Sequence, residues 1–138
     1  MPNTIIVPYV DEESSVFRSI KRPKISLSIY SKHIKRWIRI DNTLADTGAD
    51  ISVLPRNLGQ MIIGNYKSGQ RYEISGLSTE QTSDMYIHKL TVRLGNKQFR
   101  TSFAISDSDD VPPTLGRLGG LDKFDIRYQK GKKMIINW

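Results

Sequence analysis

Apolar and polar residues alternate along much of the chain, which is the pattern of strands with one buried and one solvated face. The alternation is found in KISLSIY (residues 24–30), WIRI (37–40), YIHKLTVRL (86–94) and QFRTSFAI (98–105). Gly95 and Asn96 separate the last two runs and are typical of a tight hairpin turn. The pattern therefore predicts a mostly β protein.

Helix signals are few. Pro55 stands at a favoured first position for a short helix that Gly64 would end. A second short helix is expected in RLGGLDKF, residues 117–124, although its two adjacent glycines weaken the signal. We therefore expect one or two short helices beside the strands.

The length of 138 residues corresponds to one domain, and no internal repeat divides it. We expect a compact body over residues 22–138, preceded by a loosely held arm over residues 1–21 that could contact a second subunit. Residues 1–15 lack the basic stretch and the long apolar run of a signal peptide or membrane span. The expected location is the cytoplasm, without membrane contact.

The composition and the spacing of reactive residues argue against several kinds of metal and catalytic site. With no cysteine, the chain has no disulfide framework, no thiolate zinc site and no cysteine nucleophile. His33 and His88 are the only histidines and do not form a metal-binding helix motif, and no serine lies in a GxSxG turn. The acids of SDSDDVPP, residues 106–113, lack the glycine and terminal glutamate of a calcium loop. We expect neither a metal nor a cofactor.

Lysine and arginine number 21 against 14 acids, so the net charge is +7. Basic clusters in residues 17–24 and 31–40 raise the alternative of a nucleic-acid-binding β domain. In both clusters the bases alternate with isoleucines, as on strands with a solvated face and charged edges, and no known nucleic-acid-binding module accompanies them. The sequence therefore favours solvated strands over a nucleic-acid partner.

One acidic residue stands in an apolar setting. In TLADTGADISVLP, residues 43–55, Asp46 lies between two apolar segments, where an unpaired carboxylate is costly to bury. The Asp46 carboxyl group must therefore be neutralised by a proton, paired with another group or used in a reaction. An isolated Asp-Thr-Gly also fits a simple turn between two strands, in which the side chain bonds to the backbone.

The surroundings of Asp46 resemble those in retropepsin-like aspartic proteases. An apolar strand enters ADTGAD, a second apolar segment, ISVLP, leaves it, and a glycine-bearing hairpin, YEISGLSTEQT, follows. An apolar-Gly-Arg segment, TLGRLGG, arrives about 70 residues later. Over roughly residues 22–138 this order is similar to the single-lobe, prokaryotic-type branch, although the hairpin tip SGLS departs from the glycine-rich viral tip.

The resemblance implies a closed, antiparallel, barrel-like acid protease fold with one lobe per chain. It also implies an aspartic endopeptidase, in which two aspartates share one proton and hold the attacking water between them. Because the chain carries one such motif, Asp46 would meet its copy in a homodimer. One Asp46 would take a proton from the water, and the other would hydrogen-bond the carbonyl oxygen of a peptide or protein substrate.

The same resemblance gives roles to the neighbours of Asp46. Thr47 would tie the loop to its twin through its hydroxyl, and Gly48 would allow the tight turn. Ala49 and Asp50 would lie against the peptide, with Asp50 accepting hydrogen bonds from peptide N–H groups. Ala49 has no side-chain hydroxyl that could hydrogen-bond the catalytic carboxylate and stabilise its charged form, so we expect activity in mildly rather than strongly acidic solution.

Residues farther along the chain would complete the site. Ser75, Gly76 and Leu77, in the hairpin, would cover the substrate. Gly116 would pack beneath the catalytic loop, and Arg117 would pair with the second acid of that loop. We also expect the apolar ends, residues 3–10 and 133–138, to contribute to the subunit contact.

Two other functions stay open. A dimer with the same fold could bind peptides or act as a scaffold without cleaving, and the basic charge keeps the nucleic-acid-binding β domain as a further alternative. Nothing in DTGAD is altered in a way that favours the non-catalytic dimer.

Overall fold

The computed structural model describes residues 3–75 and 82–138. Its strands are β1 Thr4–Pro8, β2 Val10–Ser14, β3 Arg18–Arg22, β4 Lys24–Ser31, β5 Arg36–Ala45, β6 Ser52–Leu54, β7 Gln70–Ser75, β8 Thr82–Leu94, β9 Lys97–Ser106, β10 Thr114–Leu115, β11 Asp125–Gln129 and β12 Lys133–Asn137. The helical segments are α1 Arg56–Ile63 and two 3-10 turns, Tyr66–Ser68 and Leu121–Lys123. Of these segments, none has both the length and the hydropathy to cross a membrane.

Six strands close into a barrel in the order β4-β5-β10-β6-β9-β8, with β8 pairing back onto β4, and β7 extends the sheet beyond β8. Most neighbours are antiparallel, but β10 runs parallel to β5, and β6 runs parallel to β9. The prediction of a mostly β, closed barrel with one lobe per chain is confirmed, with these two parallel pairs as an addition.

The local turn and helix signals correspond to real features. Leu94 pairs with Lys97, so Gly95 and Asn96 are the two turn residues, and Gly95 has a positive φ of 59°. The helix α1 follows Pro55, and Gly64 after it has a φ of 79°. Both glycines occupy backbone conformations that other residues adopt only at a cost.

The second expected helix is reduced to the 3-10 turn Leu121–Lys123. Gly119 has a left-handed φ of 69°, and Gly120 has a φ of −117° and a ψ of −103°, so neither continues a helix. The two glycines that weakened the sequence signal therefore limit this segment to one turn.

The barrel interior is filled by alternate residues of its strands. Ile25, Leu27 and Ile29 of β4 point inward together, as the alternation predicted. The helix α1 packs closely on the barrel because Gly59 leaves room for Ile105, whose Cγ2 would overlap a Cβ at this position. The largest fully buried side chains are Phe103, Ile25, Ile29, Leu54, Ile62, Leu94, Ile105, Leu115, Met134, Ile136, Val92 and Thr43.

The two ends of the described chain form a second, three-stranded sheet in the order β1-β12-β11. β1 runs antiparallel to β12 from Thr4 opposite Asn137 to Pro8 opposite Lys133. The expectation of a loosely held arm is therefore wrong for residues 4–8, because Ile5 and Val7 pack on the core while the backbone pairs with β12. Among the described strands, β2 and β3 belong to neither of these sheets and pair only with each other, as a hairpin whose exposed tip carries Val16 and Phe17.

Candidate active site

Asp46 follows directly after β5, where backbone hydrogen bonds fix its position. The N–H of Ala45 donates to the carbonyl oxygen of Pro23 at 2.9 Å, and the N–H of Asp46 donates to that of Leu115 at 3.1 Å. These bonds come from segments on either side of β5. The Asp46 backbone is therefore held by the barrel, while its half-buried side chain reaches the surface.

The loop turns tightly after Asp46. The Gly48 N–H donates to Oδ1 of Asp46 at 2.9 Å, and the Ala49 N–H donates to the Asp46 carbonyl oxygen at 3.2 Å. The φ of Gly48 is not positive, and a Cβ at this position would lie 3.2 Å from Asp46 Oδ1. Glycine is therefore favoured at position 48 by the limited space beside the carboxylate and not by a left-handed backbone conformation. Thr47 is exposed on the outside of the turn.

Gly116 lies buried beneath this loop. A Cβ on Gly116 would stand 2.6 Å from the carbonyl oxygen of Ile51 and 2.8 Å from that of Ala49. Its N–H donates to the hydroxyl oxygen of the buried Ser52 at 3.0 Å. Glycine is the only residue that fits here without moving the backbone of the loop.

The segment after Gly116 runs along the loop and is bonded to it through the backbone. The N–H of Arg117 donates to the carbonyl oxygen of Ala49 at 2.9 Å, and the N–H of Leu118 donates to that of Asp50 at 3.0 Å. The structure therefore brings together the two segments, DTGAD and LGR, on which the sequence resemblance depended.

The expected ion pair between Asp50 and Arg117 is wrong for the single chain. The Arg117 guanidinium pairs instead with Asp122, with Nη2 3.2 Å from Oδ2 and Nε 3.4 Å from Oδ1. Asp122 is in reach because the 3-10 turn folds back and its N–H donates to the Arg117 carbonyl oxygen at 3.0 Å. The hydrogen bond to Asp122, with a smaller contribution from the charge of Asp50, raises the pKa of Arg117.

An open cavity of about 360 Å³ lies in front of Asp46. Asp46 is the only acid among its described lining residues, which are Tyr9, Arg22, Pro23, Leu44, Ala45, Asp46, Thr47 and Tyr128. Burial raises the pKa of Tyr128, with further contributions from Tyr9 and Asp46. The cavity therefore combines one carboxylate with two phenol groups and a guanidinium.

Sequence reasoning missed four of these contacts. Arg22 and Tyr128 reach the cavity from separate strands, Tyr9 reaches it from the junction between β1 and β2, and no local pattern marks them. Ser52 could have been noticed, because a serine between apolar residues of a buried strand needs a hydrogen-bond partner.

The expected substrate-binding residues are only partly described. Ala49 is half-buried and Asp50 is exposed beside the catalytic turn. Ser75 is the last residue of β7, whose backbone pairs with Thr82 of β8. Gly76 and Leu77 lie outside the described residues, so their expected role over the substrate stays a prediction.

The two histidines lie elsewhere. The His33 ring packs against Gly64, and Nε2 of His88 is 2.5 Å from the Tyr66 carbonyl oxygen. Within residues 3–75 and 82–138, no three histidine, aspartate or glutamate side chains gather closely enough to hold a metal ion.

In a comparison of structures, the chain is similar over its full length to a retropepsin-like aspartic protease from Rickettsia conorii. The TM-score is 0.64 and the sequence identity is 19%, and the match covers 100% of this chain and 93% of the Rickettsia protein. It also matches the EIAV protease complexed with the inhibitor HBY-793, with a TM-score of 0.44 and 22% identity, over 70% of this chain and 83% of the other. No protein-family model matches the sequence, and no curated protein does. The chain therefore has the retropepsin-like aspartic protease fold, as the sequence resemblance indicated.

Proposed function

We propose that this chain is an aspartic endopeptidase that acts as a homodimer, with a water held between the Asp46 carboxylates of two subunits. The observation that supports this most strongly is the backbone-held Asp46 at the opening of a cavity in whose described lining it is the only acid. General acid–base hydrolysis needs one carboxylate to accept a proton and another group to donate one. A second copy of Asp46 supplies that group by symmetry.

In the proposed reaction, the ionised Asp46 takes a proton from the water, which attacks the carbonyl carbon of the scissile peptide bond. The protonated Asp46 of the second subunit hydrogen-bonds the carbonyl oxygen as negative charge develops there. When the tetrahedral intermediate collapses, the C–N bond breaks, the carbonyl group re-forms, and a carboxylic acid of the pair gives its proton to the leaving amine nitrogen. The Gly48 N–H already donates to Oδ1 of Asp46, which orients the carboxylate before substrate binds. The peptide would lie extended beside Ala49 and Asp50, with Ser75, Gly76 and Leu77 above it.

The dimer contact is proposed to include the β1-β12-β11 sheet. This sheet supplies Tyr128 to the Asp46 cavity, and β1 and β11 are its outer strands. A two-fold axis beside Asp46 would therefore pass near Tyr128. Thr47, which is exposed on the turn after Asp46, would contact Thr47 of the second subunit at this axis.

Cleavage of a peptide library tests the proposed reaction directly. The native protein should hydrolyse peptides in mildly acidic solution, and Asp46→Asn, which keeps the side-chain volume, should abolish hydrolysis. Asp50→Asn is the matched control, because it changes an acid of the same loop that the proposal assigns to binding; it should weaken substrate binding without abolishing turnover. Hydrolysis that survives Asp46→Asn would refute the proposal, whereas peptide binding without hydrolysis would favour the non-catalytic dimer.

Light scattering tests the subunit arrangement. Tyr128→Glu should lower the mass from dimer to monomer because it places two like charges near the axis. Tyr72→Glu changes another exposed tyrosine, on β7, and should leave the mass unchanged. A native protein that is monomeric with and without peptide inhibitor would contradict the dimer.

A further inference from the structure

The positive charge of the chain is concentrated in two hairpins. Residues 24–41, which contain β4 and the first part of β5, and residues 88–102, from β8 and β9, hold nine of the 21 lysines and arginines. They hold only one of the 14 acids, Asp41. The rest of the chain has 12 cations and 13 acids and is nearly neutral. The net charge of +7 therefore originates in these two hairpins.

The barrel places the two hairpins side by side, since β5, β4, β8 and β9 are consecutive neighbours. Their register produces two rows of cross-strand partners. The first row is Trp37, Tyr30, Thr91 and Arg100, and the second is Arg39, Ser28, Arg93 and Gln98. Cross-strand partners share a face, and the intervening Ile29 and Val92 are fully buried, so both rows lie on the outer face of the barrel.

Three cations on this surface have no ion-pair partner among the described residues. Lys89, Arg93 and Arg100 form no ion pair with any residue of the described parts of the chain, whereas Arg39 pairs with Asp41 at 2.8 Å. Asp50 shares a cavity with Lys89 and Arg100 without pairing with either. Arg100 lies diagonally across the strand pair from both Lys89 and Arg93, so these like charges repel one another and favour an anion. We call Lys89, Arg93, Arg100, Tyr30 and Trp37 the basic face.

Aromatic rings lie among these cations. The Arg93 guanidinium carbon is 4.3 Å from the centroid of the Trp37 ring, and the Trp37 and Tyr30 rings meet edge to face at 5.5 Å. Beside them, a groove of about 410 Å³ runs between β1 and the outer face of the barrel. Of the cations that line this groove, Lys24 pairs with Glu12 at 3.5 Å and Arg39 pairs with Asp41, whereas Arg93 has no ion-pair partner among the described residues. A second cavity, of about 170 Å³, is lined by Tyr30, Lys89 and Arg100 of the basic face.

We propose that the basic face binds single-stranded nucleic acid, with phosphates against Lys89, Arg93 and Arg100 and bases against the Tyr30 and Trp37 rings. Such proteins combine a cationic groove with aromatic side chains on an open sheet, and the basic face has both. An acidic peptide would use the cations but not the aromatic rings. The Asp46 cavity shares no lining residue with this groove, so the proposed binding does not need the Asp46 carboxylate, although Asp50 of the proposed peptide site shares a cavity with Lys89 and Arg100.

Fluorescence anisotropy with a labelled oligothymidylate of about 12 nucleotides tests the proposal, since single β domains cover about 4–16. The native protein should bind at about 50 mM salt, and its affinity should fall steeply as salt rises. Lys89→Gln/Arg100→Gln should weaken binding about tenfold and reduce the salt slope by about 1.4, which corresponds to two lost phosphate contacts. Both side chains are exposed and unpaired among the described residues, so this variant should fold normally.

The matched control is Lys123→Gln/Lys132→Gln, which changes the net charge equally at exposed positions away from the basic face. It should bind like the native protein, as should Asp46→Asn. Equal weakening by the control would refute the proposal, because binding would then follow net charge alone. Absence of binding at low salt, or equally tight binding of a labelled oligoglutamate of the same length, would also refute it.

Discussion

Gly116→Ala is the sharpest test of how the catalytic loop is supported. The new methyl group would be placed 2.6 Å from the Ile51 carbonyl oxygen and 2.8 Å from that of Ala49. Both neighbours are backbone atoms, so no side chain can rotate to make room. The loop that carries Asp46 would have to move away from β10.

The size of the effect follows from those contacts. Overpacking a well-filled interior costs about 1–3 kcal/mol, and two fixed backbone oxygens put this position at about 2–3 kcal/mol. For a chain of this length, 1 kcal/mol changes Tm by about 3–5 °C. We therefore expect a Tm lower by about 6–15 °C, together with reduced peptide hydrolysis.

The assay is thermal unfolding followed by circular dichroism, at one protein concentration because dimerisation would also raise Tm. Gly131→Ala is the control, since its φ is 66° but a Cβ there would have no heavy atom of the described residues within 4 Å. Its cost should be backbone strain alone, about 1 kcal/mol. If Gly116→Ala melts no lower than Gly131→Ala, the packing argument beneath the loop is wrong.

Three further predictions concern other parts of the structure. Burial and, to a smaller extent, the hydrogen bond to Asp107 raise the pKa of Tyr66 to about 12. The free energy of unfolding should therefore fall as pH rises from about 10 to 12. In alkaline denaturation, Tyr66→Phe should show a smaller fall than the native protein. Arg117→Gln should change Tm little, because its pair with Asp122 is half exposed; a large drop would indicate a further buried partner. Deleting residues 133–138 should prevent folding rather than release monomers, because β12 lies between β1 and β11 and is partly buried in the core; a native-like truncated protein would contradict this.

The features predicted correctly from sequence are those with local causes. The alternation in β4, the Gly95-Asn96 turn and the helix after Pro55 each depend on residues within a few positions of one another. The resemblance around Asp46 added the overall barrel, because it linked segments that local patterns cannot relate.

The features that were missed depend on the complete fold. Asp122 reaches Arg117 only because Gly119 and Gly120 shorten the expected helix to a single turn. The basic face depends on the registers of three strand pairs, whereas each strand by itself indicated only a solvated surface. Tyr128 also reaches the Asp46 cavity only in the complete fold, because its strand lies about 80 residues farther along the chain.

The pairing of β10 with β5 also has a consequence for the order of folding. Only two residue pairs join these strands, across about 70 residues of chain, whereas β8 and β9 share ten pairs around a two-residue turn. Hairpins close quickly, but long-range contacts form only after the entropy of closing a long loop has been overcome. Substitutions at Gly116 should therefore accelerate unfolding and leave the folding rate nearly unchanged. A partly folded chain would have its hairpins but not the loop around Asp46, so the proposed hydrolysis would begin only when the barrel is complete.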